Sequence, residues 1–198
     1  DSINIRIMQM NTRAEDISFI LDQLEKMQSG EIKSQLIEKI DLENIAVGGH
    51  SYGGSTATVA AQQDDRIKAC FVLDSWVSPV PQETIDAGIH VPFLFMGRPS
   101  WNDSDYPENY KRLDSLMAHS SHPKYKLILK NTEHLDYSDI PLFSPIIRHV
   151  LEVGSLSSSV SLPLINDLVH SFLEKHLTKN SEEKFEIAIQ NKLVVSAP

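Results

Sequence analysis

Cysteine is nearly absent from this sequence, because Cys70 is the only one among 198 residues. A single thiol excludes an intrachain disulfide and leaves no set of cysteines for a metal site. Cys70 lies in the apolar run K-A-C-F-V-L at residues 68–73, where a thiol serves as a small hydrophobic side chain. The sequence therefore predicts that Cys70 is buried and contributes to packing.

Positive charge and long apolar runs are also scarce. The 18 lysines and arginines form no basic run and are outnumbered by 27 aspartates and glutamates, which gives a net charge of -9. This balance argues against a nucleic-acid partner. No apolar run approaches the roughly 18 residues of a membrane span. With 41% hydrophobic residues, the composition predicts one globular domain over residues 1–198, with 1–11 and 179–198 peripheral to it.

Strand and helix patterns alternate along the chain. Apolar strands are predicted at residues 45–47, 68–73, 91–96 and 125–129. Helices are predicted at residues 17–27 behind a T-x-x-E capping box at 12–15, and at 32–40, 55–63, 104–119, 146–153 and 162–177. We expect loops at residues 1–11, 77–90 and 130–139, and the tail after 178 shows no clear pattern. The alternation predicts an α/β fold with a mostly parallel sheet, helices on both faces and the strand carboxyl ends along one edge.

A glycine-flanked turn follows the first of these strands. Residues 49–53 read G-H-S-Y-G and fit the G-x-S-x-G pattern, with a small-residue helical segment directly after them. A nucleophilic serine needs a strained strand-to-helix turn, and flanking glycines leave room for its exposed hydroxyl. The following helix would direct its positive N-terminal end at the oxyanion of an acyl transfer. Ser51 is therefore the candidate nucleophile of a serine hydrolase.

A serine hydroxyl needs a histidine to take its proton, and this chain has 8 histidines. His134 alone stands in a loop just past a predicted strand, at the edge where Ser51 is expected. His50 adjoins the serine, but its side chain should point away from the hydroxyl and have a structural role. The remaining histidines fall in helices or before strands, so His134 is the candidate base.

The carboxylate that orients the histidine has two candidate positions. Asp74 ends the strand after the elbow, whereas Asp103 or Asp105 would follow the next strand, where many α/β-hydrolases carry the acid. Asp103 and Asp105 are also ordinary N-cap residues for the helix predicted there. Asp136 and Asp139 are expected to order the histidine loop. Spacing alone leaves the acid open, although the order Ser, Asp, His is that of an α/β-hydrolase.

Four motifs together resemble the platelet-activating factor acetylhydrolase family. They are G-H-S-Y-G-G at residues 49–54, L-D-S-W at 73–76, T-E-H-L-D-Y-S-D at 132–139 and F-L-E-K-H-L at 172–177. This family is the α/β-hydrolase branch that includes the plasma lipoprotein-associated phospholipase A2. Its acid lies in an L-D-x-W stretch, so the resemblance implies Asp74 as the acid. Tyr52 stands where the family usually has Phe, and Trp76 would either line the site wall or pack on the core.

The resemblance also implies an activity. Such enzymes hydrolyse a short or oxidised acyl ester, typically at the sn-2 position of a phospholipid, without calcium and without a metal or organic cofactor. The oxyanion would be held by the backbone N–H of Tyr52 and by a second N–H from an earlier loop. Two alternatives are a general carboxylesterase similar to dienelactone hydrolases, acting on a soluble ester, and a non-catalytic hydrolase-like binding domain. Intact Ser51, Asp74 and His134 argue against the binding domain.

The resemblance covers the C-terminal part of the fold, from about residue 13 to residue 177. Nothing before Arg13 resembles the family's first strands, its oxyanion loop or its lipid-facing helices. The sequence also starts at Asp1, without an initiator methionine or a signal-like segment. We therefore expect part of a longer protein, with no compartment assigned, whose N-terminal strands and membrane or lipoprotein contacts lie outside this chain. On this hypothesis the chain alone has little or no ester hydrolase activity.

Overall fold

A five-stranded sheet in the order β1-β2-β3-β4-β5 forms the centre of the molecule. The computed structural model describes residues 2–101, 106, 108–144, 146–178 and 182–197. The strands are β1 Ile45–His50, β2 Ile67–Leu73, β3 Phe93–Gly97, β4 Lys124–Leu129 and β5 Val194–Ala197. The first four strands are parallel and β5 pairs with β4 in the antiparallel sense. The predicted mostly parallel sheet is confirmed.

Helices and short helical turns connect these strands. The helices are α1 Ser2–Gln28, α2 Tyr52–Gln63, α3 Gln82–Ala87, α4 Asn109–His119, α5 Ile140–Phe143, α6 Ser158–Leu173 and α7 Glu182–Ile189. Single 3-10 turns lie at His134–Tyr137 and Ile147–His149, and a π-helical turn at Glu174–Thr178 extends α6. Within the described ranges, no helix combines the length and the apolar composition that crossing a membrane requires.

The two faces of the sheet carry separate apolar cores. Because successive side chains of a strand point to opposite faces, Cys70 and Val72 pack with α1 to α4, whereas Ala69 packs with α6 and α7. The same alternation in β3 places Phe93 and Phe95 on the first face, and Leu94 and Met96 on the second. Helices therefore cover both faces, as the sequence predicts.

Cys70 lies in the first of these cores and is fully buried. Burial raises the pKa of its thiol, which keeps the sulfur protonated and unreactive. The prediction that Cys70 serves packing is confirmed.

Small side chains let α2 approach the sheet closely. Every residue from Gly54 to Ala61 in this helix is buried, in agreement with the small-residue pattern. A Cβ atom at Gly54 would lie only 2.9 Å from the Cβ of Ser75, so glycine is needed at this approach. The helix therefore lies directly behind β1 and β2, which fixes the position of its first residue, Tyr52.

The N-terminal region differs from the prediction. Residues 2–11, expected as a loop, belong to α1, and the expected capping box lies inside the helix, where the Thr12 hydroxyl donates to the carbonyl of Met8. Met10 and Ala14 are fully buried and extend the apolar stripe of the helix towards its N-terminus. Exposed Ile5 and Met8 interrupt that periodicity, which explains the wrong prediction.

Other segments also depart from the prediction. Residues 32–40 form isolated turns because Glu38 adopts a positive φ of 65°, which no helix continues through. The expected loop at residues 77–90 contains α3, and the helix expected at 146–153 is reduced to a 3-10 turn. The tail forms α7 and β5, because Phe185 is fully buried against Tyr125 and Phe172 and anchors it to the second core.

Leu168 and Val160 test the packing of α6 on the sheet. Leu168 is fully buried, whereas Val160 on the same helix is exposed. Leu168→Ala should lower the free energy of unfolding by about 3 kcal/mol through lost contacts and a residual cavity. Val160→Ala should change it by less than about 0.5 kcal/mol. Urea denaturation of both variants measures the difference, and equal losses would contradict the packing described.

Candidate active site

The carboxyl ends of the parallel strands meet at one edge of the sheet and carry the candidate residues. Ser51 directly follows β1, Asp74 directly follows β2, and His134 lies in the loop after β4. Arg98 directly follows β3, between the ends that carry Asp74 and His134. Residues far apart in the sequence are thus brought together by the strand order.

Ser51 stands on a strained turn between β1 and α2. Its backbone has φ 58° and ψ -125°, a conformation that residues other than glycine rarely adopt. The Ser51 N–H donates to the carbonyl of Leu73 at 3.0 Å, and its carbonyl accepts from the N–H of Gly54 and of Trp76. A Cβ at Gly49 would lie 2.4 Å from the carbonyl carbon of Gly53, so only glycine permits this turn.

The three candidate side chains form a continuous hydrogen-bonded chain. His134 Nε2 lies 2.9 Å from Ser51 Oγ, and His134 Nδ1 lies 2.7 Å from Asp74 Oδ2. In the tautomer that fits both contacts, the serine hydroxyl donates to Nε2 and the Nδ1–H donates to the carboxylate. The geometry therefore suits transfer of the serine proton to a histidine that a carboxylate holds in place.

Asp74 is fully buried, yet both of its carboxylate oxygens have partners. Oδ1 accepts from the backbone N–H of Arg98 and from the indole N–H of Trp101, each at 3.1 Å. Oδ2 faces His134 and lies 3.3 Å from Nε of Arg98. These partners stabilise the ionised carboxylate that an imidazolium needs beside it.

Among the described carboxylates that the sequence offered, Asp74 is the one that contacts His134 Nδ1. The alternatives Asp103 and Asp105 lie outside the described residues. Asp136 orders the histidine loop as expected, because its Oδ2 accepts from the backbone N–H of Glu133 and of Gly154, both at 2.7 Å.

Three further residues contact the site and were not predicted to do so. Arg98 and Trp101 bind the Asp74 carboxylate. His50 lies against the base, with the two ring centroids 4.5 Å apart and His50 Nε2 donating to the His134 carbonyl at 2.9 Å. A signal existed for Arg98 alone, because a charged residue directly after a buried strand lies at the same edge as Asp74.

Comparison with known proteins identifies the family of this chain. A family model described as platelet-activating factor acetylhydrolase, isoform II, matches residues 1–192. The chain belongs to this family. It is 28% identical over 189 residues to platelet-activating factor acetylhydrolase of Canis lupus familiaris, a match that covers 89% of this chain and 41% of that protein. The Bos taurus enzyme of the same name is 30% identical over 145 residues, which cover 72% of this chain and 32% of that protein.

The acetylhydrolase resemblance noted in the sequence is thus confirmed, and the chain spans less than half the length of these relatives. A ferulic acid esterase from Streptomyces cinnamoneus has the same fold, with a TM-score of 0.72 and 21% identity. The match covers 98% of this chain and 56% of the esterase chain. The predicted α/β-hydrolase class is confirmed by this likeness.

Tyr52, where the acetylhydrolase family usually has Phe, is the first residue of α2. Its backbone N–H is one of those that a helix leaves without an internal partner, so it can donate to an anion beside Ser51. Its side chain turns towards α1, where the hydroxyl donates to the carbonyl of Arg6 at 2.5 Å and the Arg13 guanidinium lies 5.1 Å from the ring. The hydroxyl thus ties α1 to the elbow.

Trp76 lies beside the elbow, because its backbone N–H donates to the Ser51 carbonyl at 3.2 Å. Its ring packs 6.1 Å from the Tyr52 ring and 5.8 Å from the Tyr106 ring. Among the residues that the structure describes, its buried indole N–H has no hydrogen-bond partner. Its place as a site wall remains a prediction.

In the described part of the chain, no three histidine, cysteine, aspartate or glutamate side chains are grouped so as to hold a metal ion. The polar groups around Ser51 instead bind one another, as the contacts of Asp74 and His134 illustrate.

His50 provides a test through the pH dependence of stability. Burial, and then the neighbouring His134, lower the pKa of His50 below its ordinary value of about 6.5. The unfolded chain therefore binds a proton that the folded chain does not, so stability is lost as the pH falls below about 6.5. Between about pH 7.5 and about pH 5.5, the wild-type protein should lose more unfolding free energy than His50→Gln does.

Urea denaturation at both pH values measures this difference. His122 is exposed, so His122→Gln should keep the wild-type pH dependence and serves as the matched control. Parallel pH curves for the wild-type protein and His50→Gln would contradict a neutral, buried His50.

Proposed function

We propose that Ser51, His134 and Asp74 form the catalytic triad of a carboxylic ester hydrolase. The observation that supports this most directly is the chain of hydrogen bonds from Ser51 Oγ through His134 to a fully buried carboxylate. The strained backbone of Ser51 supports it as well, because such strain is retained where a side chain must be presented for reaction. Membership of the acetylhydrolase family points to the same chemistry.

The proposed reaction proceeds through an acyl-enzyme. His134 takes the proton of Ser51 as its oxygen attacks the ester carbonyl, and Asp74 stabilises the resulting imidazolium. The backbone N–H of Tyr52, at the positive end of α2, stabilises the oxyanion together with a second N–H from outside this chain. The alcohol leaves with the proton from His134, and a water activated by His134 then hydrolyses the acyl-enzyme. The family resemblance implies that this reaction needs no calcium.

The proposed substrate is the short or oxidised sn-2 acyl ester of a phospholipid, as in platelet-activating factor. The names of the relatives support this substrate class. A second support is the segment formed by residues 140–144 and 146–151, which follows His134 and exposes Leu142, Phe143, Ile146, Val150 and Leu151 by 45% to 76%. Five exposed apolar side chains so close together in the chain mark an interaction surface. We propose that this segment contacts the lipid aggregate from which the substrate is drawn, in addition to the contacts expected outside this chain.

Ser51→Ala tests the triad. In the full-length protein this change should lower kcat on the order of 10⁴-fold or more, because the nucleophile is lost. It should also abolish labelling by a fluorophosphonate probe. Ser171→Ala is the matched control, because the Ser171 hydroxyl donates within α6, on the other face of the sheet, and activity and labelling should persist.

A wild-type protein that hydrolyses no ester and fails to label at Ser51 would refute the enzyme proposal in favour of a non-catalytic binding domain. Activity that survives Ser51→Ala would refute the assignment of the nucleophile.

The exposed segment is tested by Phe143→Ser combined with Ile146→Ser. Losing two apolar side chains that enter the lipid should raise the apparent KM for aggregated phospholipid by about tenfold or more. Hydrolysis of p-nitrophenyl acetate, a soluble ester, should not change. Ile187→Ser on α7 removes an equally exposed apolar side chain away from His134 and should leave both activities intact.

Equal effects on phospholipid and soluble ester would contradict a lipid contact at this segment. A wild-type protein that hydrolyses p-nitrophenyl esters but no phospholipid of any acyl length would favour the alternative of a general carboxylesterase.

A further inference from the structure

Arg98 is the charged residue that joins the parts of the candidate site, and it is only 6% exposed. Its Nε lies 3.3 Å from Asp74 Oδ2, and this contact is an ion pair without a hydrogen bond. On its other side, Nη1 donates to Glu133 Oε2 at 3.3 Å and to Glu152 Oε2 at 3.2 Å. One guanidinium therefore spans the proposed triad acid, the histidine loop and the end of the exposed apolar segment.

The Arg98 guanidinium contacts Asp74 Oδ2, the carboxylate oxygen that binds His134. Asp74 Oδ1 accepts from the backbone N–H of Arg98 and from the indole N–H of Trp101, so neither of these bonds is made by the Arg98 side chain. Asp74 Oδ2 is shared between His134 Nδ1 and Arg98 Nε. The Trp101 ring lies 4.4 Å from the guanidinium carbon and fixes its plane. The side chain of Arg98 thus acts on the oxygen that faces His134.

We propose that Arg98, with its counterions Glu133 and Glu152, is a positioning residue that tunes how strongly Asp74 supports the protonated form of His134. This inference rests on the proposed ester hydrolase function. The guanidinium orients Oδ2 but also opposes the carboxylate charge that stabilises an imidazolium. Glu133 and Glu152 accept from the same guanidinium, and their negative charges partly offset the effect of its positive charge on His134.

The charged and titratable groups that the structure describes around His134 enter this balance. Among them, Asp74, Glu133, Asp136 and Glu152 are the carboxylates, and Arg98 and His50 are the basic groups. Tyr110 and Tyr137 are neutral, because burial raises the pKa of both phenols. Removing the Arg98 charge and removing the glutamate charges should therefore act on His134 in opposite directions.

The experiment follows kcat/KM of the full-length protein on p-nitrophenyl acetate as a function of pH. In Arg98→Met, the pH of half-maximal activity on the acid side should rise by about half a unit, because His134 loses a repelling charge. In the double variant Glu133→Gln, Glu152→Gln it should fall, by less, because both glutamates are largely exposed and solvent screens them. The shift of the glutamate variant should shrink at high salt, whereas that of Arg98→Met should change little, because salt screens buried charges much less.

Geometry is separated from charge by Arg98→Lys. Lysine keeps the charge but cannot contact Asp74 and both glutamates with a planar fork. In Arg98→Lys the acid limb, meaning the pH of half-maximal activity on the acid side, should therefore stay near that of the wild-type protein. The kcat should fall about tenfold in both Arg98→Met and Arg98→Lys. KM for the soluble ester should not change, because Arg98 is buried and its guanidinium binds Asp74 and the two glutamates.

Arg66→Met is the matched control. Arg66 pairs with Asp22 and Asp64 at the opposite edge of the sheet, before β2 begins. This change removes an ion-paired arginine and should lower the melting temperature without moving the pH profile. Circular dichroism of each variant checks that it is folded, and the glutamate variants test the proposal even where Arg98→Met does not fold.

Shifts of the acid limb in opposite directions support the proposal, and shifts in the same direction or none overturn it. A wild-type protein without esterase activity refutes the proposed function but still permits the test. In that case the ring protons of His134 are titrated by NMR in the wild-type protein and the variants. The same opposite shifts are expected there, and their absence overturns the inference.

Discussion

The buried carboxylate of Asp74 is the interaction on which the candidate site depends. Taking an ionised carboxylate out of water costs several kcal/mol unless its oxygens are paired, and the three residues that pair with Asp74 come from other segments of the chain. Arg98 and Trp101 are supplied after β3, and His134 after β4. The carboxylate is therefore satisfied only when three strand ends are in register. The same contacts of Asp74 thus require a correctly assembled sheet edge and orient His134.

The strained backbone of Ser51 is maintained by the helix that follows it, α2. Ser51 keeps a positive φ because α2, which begins at the next residue, is buried along most of its length against β1 and β2. The close approach at Gly49 and Gly54 leaves that helix no freedom to relax the turn. A helix of larger residues would stand further from the sheet and would carry Ser51 away from His134. The small-residue composition of α2 is therefore as much a requirement of the site as the serine itself.

The sequence allowed prediction of those features that follow from local pattern and strand order. Apolar runs locate β1 to β4, and the shared edge of a parallel sheet brings Ser51, Asp74 and His134 together. Spacing could not choose Asp74 over later acids, because it does not encode which strand end faces His134; the L-D-x-W motif was needed. The contacts of Arg98 and His50 depend on the register of neighbouring strands, which no periodicity reveals. Helix α1 was predicted too short because exposed apolar side chains interrupt its apolar stripe. Strand β5 was not predicted, because the tail that contains it is anchored by a single buried residue, Phe185, and one residue makes no pattern.

The exposed apolar segment and the base also share a support. The segment leaves the histidine loop and returns to it, and its ends are closed by bonds from the Leu135 N–H to the Glu152 carbonyl and from the Leu156 N–H to the Asn131 carbonyl, both 3.0 Å. Asp136 adds a bond to the N–H of Gly154, where a Cβ would lie 2.2 Å from the Asn131 carbonyl oxygen. Glu152, at the same junction, pairs with Arg98. The segment is therefore linked through these contacts to both His134 and Asp74. If the segment binds lipid as proposed, that binding would limit the motion of the two side chains.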